Sequence, residues 1–127
     1  MYFTPELREQ LEDLLQEIQD QNLLVIVEGK KDKQALQHLG IQNVITLNKA
    51  PFQLIEELAS QERPSEIVIL TDFDEEGKSL YGKLSRECRR NGLLVNNRLR
   101  KFLMRETPLA HIEGLATFVR NLPIFYF

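Results

Sequence analysis

The chain has little cysteine or histidine and no long apolar run. Its single cysteine, Cys88, excludes an internal disulfide and a cysteine-based zinc site. His38 and His111 are far apart in the sequence and do not by themselves make a transition-metal site. We expect a packing or surface role for His38 and a capping or packing role for His111, with contact to a site as the alternative for His111. No apolar run approaches the roughly 18 residues of a membrane helix, and the N-terminus lacks the charged-then-apolar pattern of a signal peptide. We therefore expect a cytoplasmic protein with no membrane partner.

The composition is that of a globular protein with one core. The chain has 127 residues, of which 43% are hydrophobic and 28% charged, and we predict a single domain over residues 1–127. The net charge of −3 argues against tight nucleic-acid binding, but bases are concentrated in residues 86–105. Within that stretch, Arg98, Arg100 and Lys101 predict contact with a phosphate backbone. The alternative is that the stretch is simply a solvated helix and strand.

Short apolar runs alternate with helical patterns along the chain. We predict strands over residues 23–27, 44–47, 67–70 and 95–103. We predict helices from the Thr4-Pro5 cap, over 30–39, over 51–59 with Phe52 facing inward, over 77–91 and over 111–122. The alternation predicts an α/β fold with a mostly parallel four-stranded sheet flanked by helices.

Acidic residues follow two of the predicted strands directly. Glu28 ends the first apolar run, and Asp72 and Asp74 follow the run over 67–70. The carboxyl ends of parallel strands form the edge of the sheet where α/β proteins bind ligands. Carboxylates that converge there repel one another unless a hard cation lies among them, and Mg²⁺ binds both carboxylates and phosphates. The pattern therefore predicts a metal-dependent domain that handles phosphates.

These acids are the candidate catalytic residues. We expect Asp72 and Asp74 to be metal ligands, and Glu28 to be either a third ligand or a general acid/base, because neighbouring carboxylates raise its pKa. Glu75 and Glu76 are weaker candidates, since acids also favour the N-terminus of a helix.

The segments Val27-Glu28-Gly29 and Asp72-Phe73-Asp74-Glu75-Glu76-Gly77 resemble the motifs of the Toprim domain, over roughly residues 22–105. This module occurs in topoisomerases, bacterial primases and small nucleases. The extended first motif, residues 27–32, is similar to that of the Toprim ribonucleases that mature 5S ribosomal RNA. The resemblance implies a Rossmann-like fold, Mg²⁺ (with Mn²⁺ as the other candidate ion), a proton-handling role for Glu28 and a further acidic metal position at Glu76.

Lysines lie beside both acidic motifs. Lys30, Lys31 and Lys33 begin the helix after Glu28, and Lys78 follows the second motif. Lysine at a helix start opposes the helix dipole, so these side chains predict contact with phosphate near the metal. The alternative is that they pair with Asp32 and the acidic loop, and Asp32 could instead position a lysine.

Three functions remain open. The first is a stand-alone Toprim nuclease, or a subunit that processes RNA or DNA, acting on phosphodiesters with Mg²⁺. The second is a non-catalytic Toprim module that binds nucleic acid and a protein partner. The third is a phosphatase of the haloacid dehalogenase type, which also carries an Asp-x-Asp after a strand.

The end of the chain is strongly apolar. Residues 123–127 read Pro-Ile-Phe-Tyr-Phe, where most chains are polar. Exposed, these side chains would favour association. We expect them to cover the sheet of their own chain or to bury against a second copy in a homodimer.

Overall fold

The computed structural model describes residues 3–122. Its strands are β1 (Leu24–Val27), β2 (Val44–Thr46), β3 (Glu66–Ile69) and β4 (Leu94–Val95). Its α-helices are α1 (Pro5–Asp20), α2 (Lys30–His38), α3 (Pro51–Gln61), α4 (Glu75–Arg90), α5 (Arg98–Glu106) and α6 (Leu115–Arg120), with a 3₁₀ turn at Ile112–Gly114. Among residues 3–122, none of the helices has the length and hydropathy of a membrane span. The apolar segment 123–127, predicted to contact the sheet or a second copy, lies outside the described residues.

All four strands run parallel, in the order β2-β1-β3-β4. Val25 at the centre of β1 is paired with Val44 of β2 on one side and with Val68 of β3 on the other. Every residue of β1 is buried, because helices cover both faces of the sheet. This confirms the predicted α/β fold with a parallel four-stranded sheet.

Side chains of the two central strands alternate between two cores. Val25, Val27 and Val68 pack on one face against apolar residues of α1, α2 and α5. Leu24 and Ile26 belong to the core on the other face, which α3 and α4 complete. Because successive strand residues point to opposite faces, each β-branched run supplies both cores and leaves its polar continuation at the edge of the sheet.

The predicted strand over 95–103 is wrong. β4 ends at Val95, and residues 98–106 form α5. Leu99, Phe102 and Leu103 are buried at the i, i+3, i+4 spacing of a helix, which the imperfect alternation had concealed. The buried Asn96 ends the strand, and its side chain accepts a hydrogen bond from the Arg98 amide at 3.1 Å.

Other helix predictions are confirmed with shifted bounds. Thr4 caps α1, and its hydroxyl accepts from the Leu7 amide at 3.1 Å. The helix predicted over 77–91 begins two residues earlier, and the one over 111–122 is the short 3₁₀ turn followed by α6. Phe52 is 49% exposed, contrary to prediction, because it lies two residues before the buried Leu54 and so on the opposite side of α3.

Candidate metal centre

The loop after β3 packs tightly against the start of α4. The Thr71 hydroxyl donates to the Gly77 carbonyl at 2.7 Å. A Cβ atom at Gly77 would lie 2.0 Å from the Asp72 carbonyl oxygen, so only glycine fits at this position. The glycine of the second acidic motif is therefore required by the close approach of helix and loop.

Asp72 is oriented through both of its carboxylate oxygens. Its Oδ1 accepts from the Ile112 amide at 2.8 Å, and its Oδ2 lies 3.3 Å from Nδ1 of His111. Asp74 is the N-cap of α4, and its Oδ1 accepts from the Gly77 amide at 2.7 Å. Both aspartates are thus held in defined positions at the carboxyl edge of the sheet, and Asp74 is exposed to solvent.

Glu28 connects the two acidic motifs. Its Oε2 accepts from the backbone amide of Asp72 at 2.7 Å, which joins the ends of β1 and β3. Partial burial raises the pKa of Glu28 above its ordinary value, and the negative charges of Asp72 and Asp74 raise it further, although the hydrogen bond opposes this. The Glu28 carboxyl is therefore easier to protonate than an isolated glutamate.

Arg100 binds backbone carbonyls of the acidic loop, the segment 70–74 between β3 and α4. It is buried, and it donates to the Thr71 carbonyl at 2.5 Å and to the Asp72 carbonyl at 3.1 Å. Its guanidinium stacks on Phe73 and Tyr81, with 5.0 and 4.5 Å to the ring centroids. Burial lowers the pKa of Arg100, but a guanidinium remains charged at neutral pH. Arg100 thus does not lie on an exposed basic surface, where the sequence had placed it.

The ligand atoms that lie closest together belong to Asp72, Asp74 and His111. One potential ligand atom from each residue lies within 4.8 Å of the other two. Glu28 is outside this group, and Glu76 is an exposed residue in the first turn of α4. Two carboxylates and an imidazole, partly open to solvent, are a donor set that suits a divalent cation.

His111 is the site residue that the sequence indicated least clearly, since we favoured a capping or packing role over contact with a site. The hydrogen bond to Asp72 and the surrounding acids raise its pKa. It lies about forty residues after Asp72, at the start of the helix predicted over 111–122 and outside both acidic motifs. Its nearness to Glu113 was the only local signal, and it did not indicate contact with Asp72.

The predicted lysines are spread over several places. Lys30 and Lys31 are exposed and line a cavity of about 370 Å³ beside the acids, together with Glu28, Gly29, Asp32, Asp72, His111 and Glu113. A groove of about 770 Å³ along α2 and α6 shares Lys31 and Glu113 with this cavity. Lys33 lines a separate cavity beside α3, while Lys78 and Lys101 are exposed on α4 and α5.

Asp32 and Arg98, for which the sequence allowed a role in binding phosphate, are both engaged with other groups of the protein. Asp32 is buried, and its carboxylate accepts from the Gly29 amide at 3.1 Å, so it closes the first turn of α2 instead of positioning a lysine. Desolvation raises the pKa of Asp32, although the hydrogen bond from Gly29 opposes it. Arg98 forms an ion pair with Glu17 of α1.

Comparison with known proteins finds similar sequences and a solved structure of similar fold. A UPF0292 protein of Methanocaldococcus jannaschii is 34% identical over 100 residues, which are 76% of this chain and 78% of that protein. A UPF0292 protein of Methanosarcina barkeri is 34% identical over 123 residues, or 90% and 83% of the two chains. A solved structure of a protein from Aquifex aeolicus is similar with a TM-score of 0.72 and 28% identity, covering 84% of this chain and 95% of that one.

The family match covers the part of the chain that carries both acidic motifs. Residues 23–105 match the Toprim domain, from the residue before β1 to the last turn of α5. This range contains Glu28, Asp72 and Asp74, which the fold brings to one edge of the sheet, and excludes His111. With its strand order and its acids in these places, the chain belongs to the Toprim domain family.

Proposed function

We propose that this chain is a Mg²⁺-dependent enzyme that cleaves nucleic-acid phosphodiesters and that Glu28, Asp72 and Asp74 form its active site. The observation that carries the proposal is the 2.7 Å hydrogen bond from the Asp72 amide to Glu28, which joins the two acidic motifs into one centre. Toprim domains bind Mg²⁺ through acidic residues, and this centre provides those acids in a fixed arrangement.

The two aspartates would hold the ion. Asp72 is oriented by the Ile112 amide, and Asp74 is oriented by the Gly77 amide while remaining exposed. A bound Mg²⁺ neutralises phosphate charge, orients the nucleophile and stabilises the leaving oxygen. The protein's contribution is to keep the two carboxylates close together although they repel, and the contacts that hold Asp72 and Asp74 do this.

Glu28 would move the proton. A general acid or base works best when its pKa is near the working pH, and partial burial together with two neighbouring carboxylates shifts the pKa of Glu28 upward, toward neutrality. The hydrogen bond from the Asp72 amide orients the Glu28 side chain through Oε2 and does not use its other carboxylate oxygen.

Lys30 and Lys31 would bind the substrate's phosphates. Both are exposed at the start of α2 and line the cavity next to the acids. A cationic side chain beside a cluster of carboxylates suits a polyanion that must approach the acids through a bound metal. We assign phosphate binding to these two lysines and not to the predicted basic stretch, because Arg98 is paired with Glu17 and Arg100 is buried.

The test uses the double substitution Asp72→Asn and Asp74→Asn. Asparagine keeps an oxygen for the Ile112 amide and is as good an N-cap as aspartate, so the fold should survive. The matched control is Asp13→Asn, an exposed aspartate in α1. In the wild type and the control, saturating Mg²⁺ should raise the melting temperature by mass action, and the double variant should lose this increment.

Cleavage is measured on the same three proteins. End-labelled single- and double-stranded RNA and DNA are incubated with Mg²⁺, Mn²⁺ or chelator. Wild type and control should cut at least one substrate in the presence of metal, and the double variant should cut none. An unchanged Mg²⁺ response in the double variant would remove the metal centre from the proposal, and metal-independent cleavage would remove the mechanism.

A non-catalytic binding module is the second candidate. It is favoured by the engagement of both Asp72 oxygens with protein groups, the Ile112 amide and His111. It predicts that oligonucleotides bind but remain intact in every metal, and that Lys30→Gln with Lys31→Gln weakens binding while Lys83→Gln, on the exposed part of α4, does not. The haloacid dehalogenase alternative receives no support from the family match.

A further inference from the structure

The chain just before α6 is fastened to the acidic loop on both sides of His111. The Phe73 amide donates to the Ala110 carbonyl at 2.9 Å, and the Ile112 amide donates to Asp72 Oδ1 at 2.8 Å. Ile112 is fully buried in the core below. Two hydrogen bonds and one buried side chain therefore place the backbone of His111 at the metal centre.

The His111 side chain lies against the aspartates although it is not buried. It is 55% exposed, and its Nδ1 is 3.3 Å from Asp72 Oδ2. It supplies one of the three potential ligand atoms that lie within 4.8 Å of one another, with Asp72 and Asp74 supplying the other two. The only other histidine, His38, is exposed at the end of α2 and is not in this group.

We propose that His111 is a third ligand of the metal held by Asp72 and Asp74, and that the centre therefore prefers Mn²⁺ or Co²⁺ to Mg²⁺. The inference rests on the metal centre of the proposed function: Mg²⁺ binds there as that function requires, but with lower affinity than Mn²⁺ or Co²⁺. Mg²⁺ takes oxygen ligands and retains several of its waters, so an imidazole contributes little to its binding. Mn²⁺ accepts carboxylates as Mg²⁺ does, and the affinity of sites with nitrogen ligands increases from Mn²⁺ to Co²⁺.

The presence of only two histidines makes a direct test feasible. Mn²⁺ is titrated into the purified full-length protein, and the free ion is measured by electron paramagnetic resonance to obtain a dissociation constant. Pulsed electron paramagnetic resonance of the bound Mn²⁺ then detects the hyperfine coupling to the nitrogen of a coordinated imidazole. The proteins compared are the wild type, His111→Gln and the matched control His38→Gln.

The nitrogen signal should be present in the wild type and in His38→Gln, and absent in His111→Gln. The dissociation constant of Mn²⁺ should rise about tenfold or more in His111→Gln, because even indirect metal contacts are worth that much. The dissociation constant of Mg²⁺, measured by competition with Mn²⁺, should change much less. His38→Gln should match the wild type in all three measurements.

Bound Mn²⁺ without a nitrogen signal in the wild type would overturn the proposal, and this result does not depend on how any variant folds. Equal Mn²⁺ affinity in wild type and His111→Gln would also overturn it. The double variant Asp72→Asn and Asp74→Asn separates this failure from that of the proposed function. If the double variant loses Mn²⁺ binding, the carboxylate centre stands without His111, and if it binds Mn²⁺ normally, both proposals fail.

Discussion

Two turns build the metal centre: the first connects β1 to α2 (residues 28–32), and the second connects β3 to α4 (residues 70–77). Each contains a capping hydrogen bond to an aspartate, but the two aspartates have different roles. In the first turn, Asp32 is buried and closes the start of α2 through the Gly29 amide. In the second turn, Asp74 caps α4 through the Gly77 amide, yet it is exposed and is one of the clustered candidate ligands. The two capping bonds are reciprocal: at α2 the side chain of the third helical residue accepts from the N-cap amide, and at α4 the N-cap side chain accepts from the amide of the third helical residue. The acid is structural in the first turn and part of the candidate site in the second.

The two turns also differ in how firmly they are held. A Cβ at Gly29 would meet nothing within 4 Å, whereas one at Gly77 would overlap the Asp72 carbonyl. The second turn is also supported by Arg100, whose guanidinium binds the carbonyls of Thr71 and Asp72. Carboxylates that must remain close in the absence of an ion need such support, because their mutual repulsion would otherwise move them apart.

The largest expected effect is that of adding a methyl group to the second turn. Gly77→Ala should lower the free energy of unfolding by about 3 kcal/mol or more, because the Asp72 backbone must move to admit the Cβ. Gly29→Ala adds the same group to open space with an extended backbone and should cost less than about 1 kcal/mol. Urea denaturation of both variants measures the difference, and similar costs would show that the close approach at Gly77 is not restrictive.

Removal of the guanidinium under the second turn should have the next largest effect. Arg100→Gln leaves the buried Thr71 carbonyl and the partly buried Asp72 carbonyl without this donor and should cost about 2–3 kcal/mol. Lys101→Gln, its exposed neighbour in α5, should change the free energy of unfolding by less than about 0.5 kcal/mol. Thermal and urea denaturation test this pair, and an Arg100→Gln protein as stable as Lys101→Gln would contradict the supporting role.

The smallest effect concerns the pH dependence of the metal-free protein. Because the pKa of Glu28 is raised above 4.5, the folded protein keeps a proton there that the unfolded chain releases. The resulting stabilisation is fully present below pH 4.5 and is lost as pH rises through the folded pKa. In chelator, stability should therefore fall more in the wild type than in Glu28→Gln as the pH rises from 4.5 toward neutrality. Equal falls in urea denaturation would show that the Glu28 carboxyl does not titrate abnormally.

Local sequence patterns predicted most of the first ninety residues. The β-branched runs over 23–27 and 67–70, each followed by acids and then a helical stripe, correctly predicted β1 and β3 as strands of a parallel sheet, and the structure places both at its centre. The prediction failed after Gly92, where bases and apolar residues alternate imperfectly and fit both a strand and a helix. The residues that are buried there, Leu99, Phe102 and Leu103, have helical spacing, and the segment forms α5.

The amino-acid sequence alone determined the fold class and the positions of Glu28, Asp72 and Asp74 at strand ends, because strand polarity and the two-residue period are local properties. Only the tertiary structure decided that Arg100 is buried beneath the acidic loop and that His111 joins the aspartates. Both outcomes depend on contacts between residues about thirty to forty positions apart. No local pattern encodes such contacts, since they exist only after the sheet and its helices have packed.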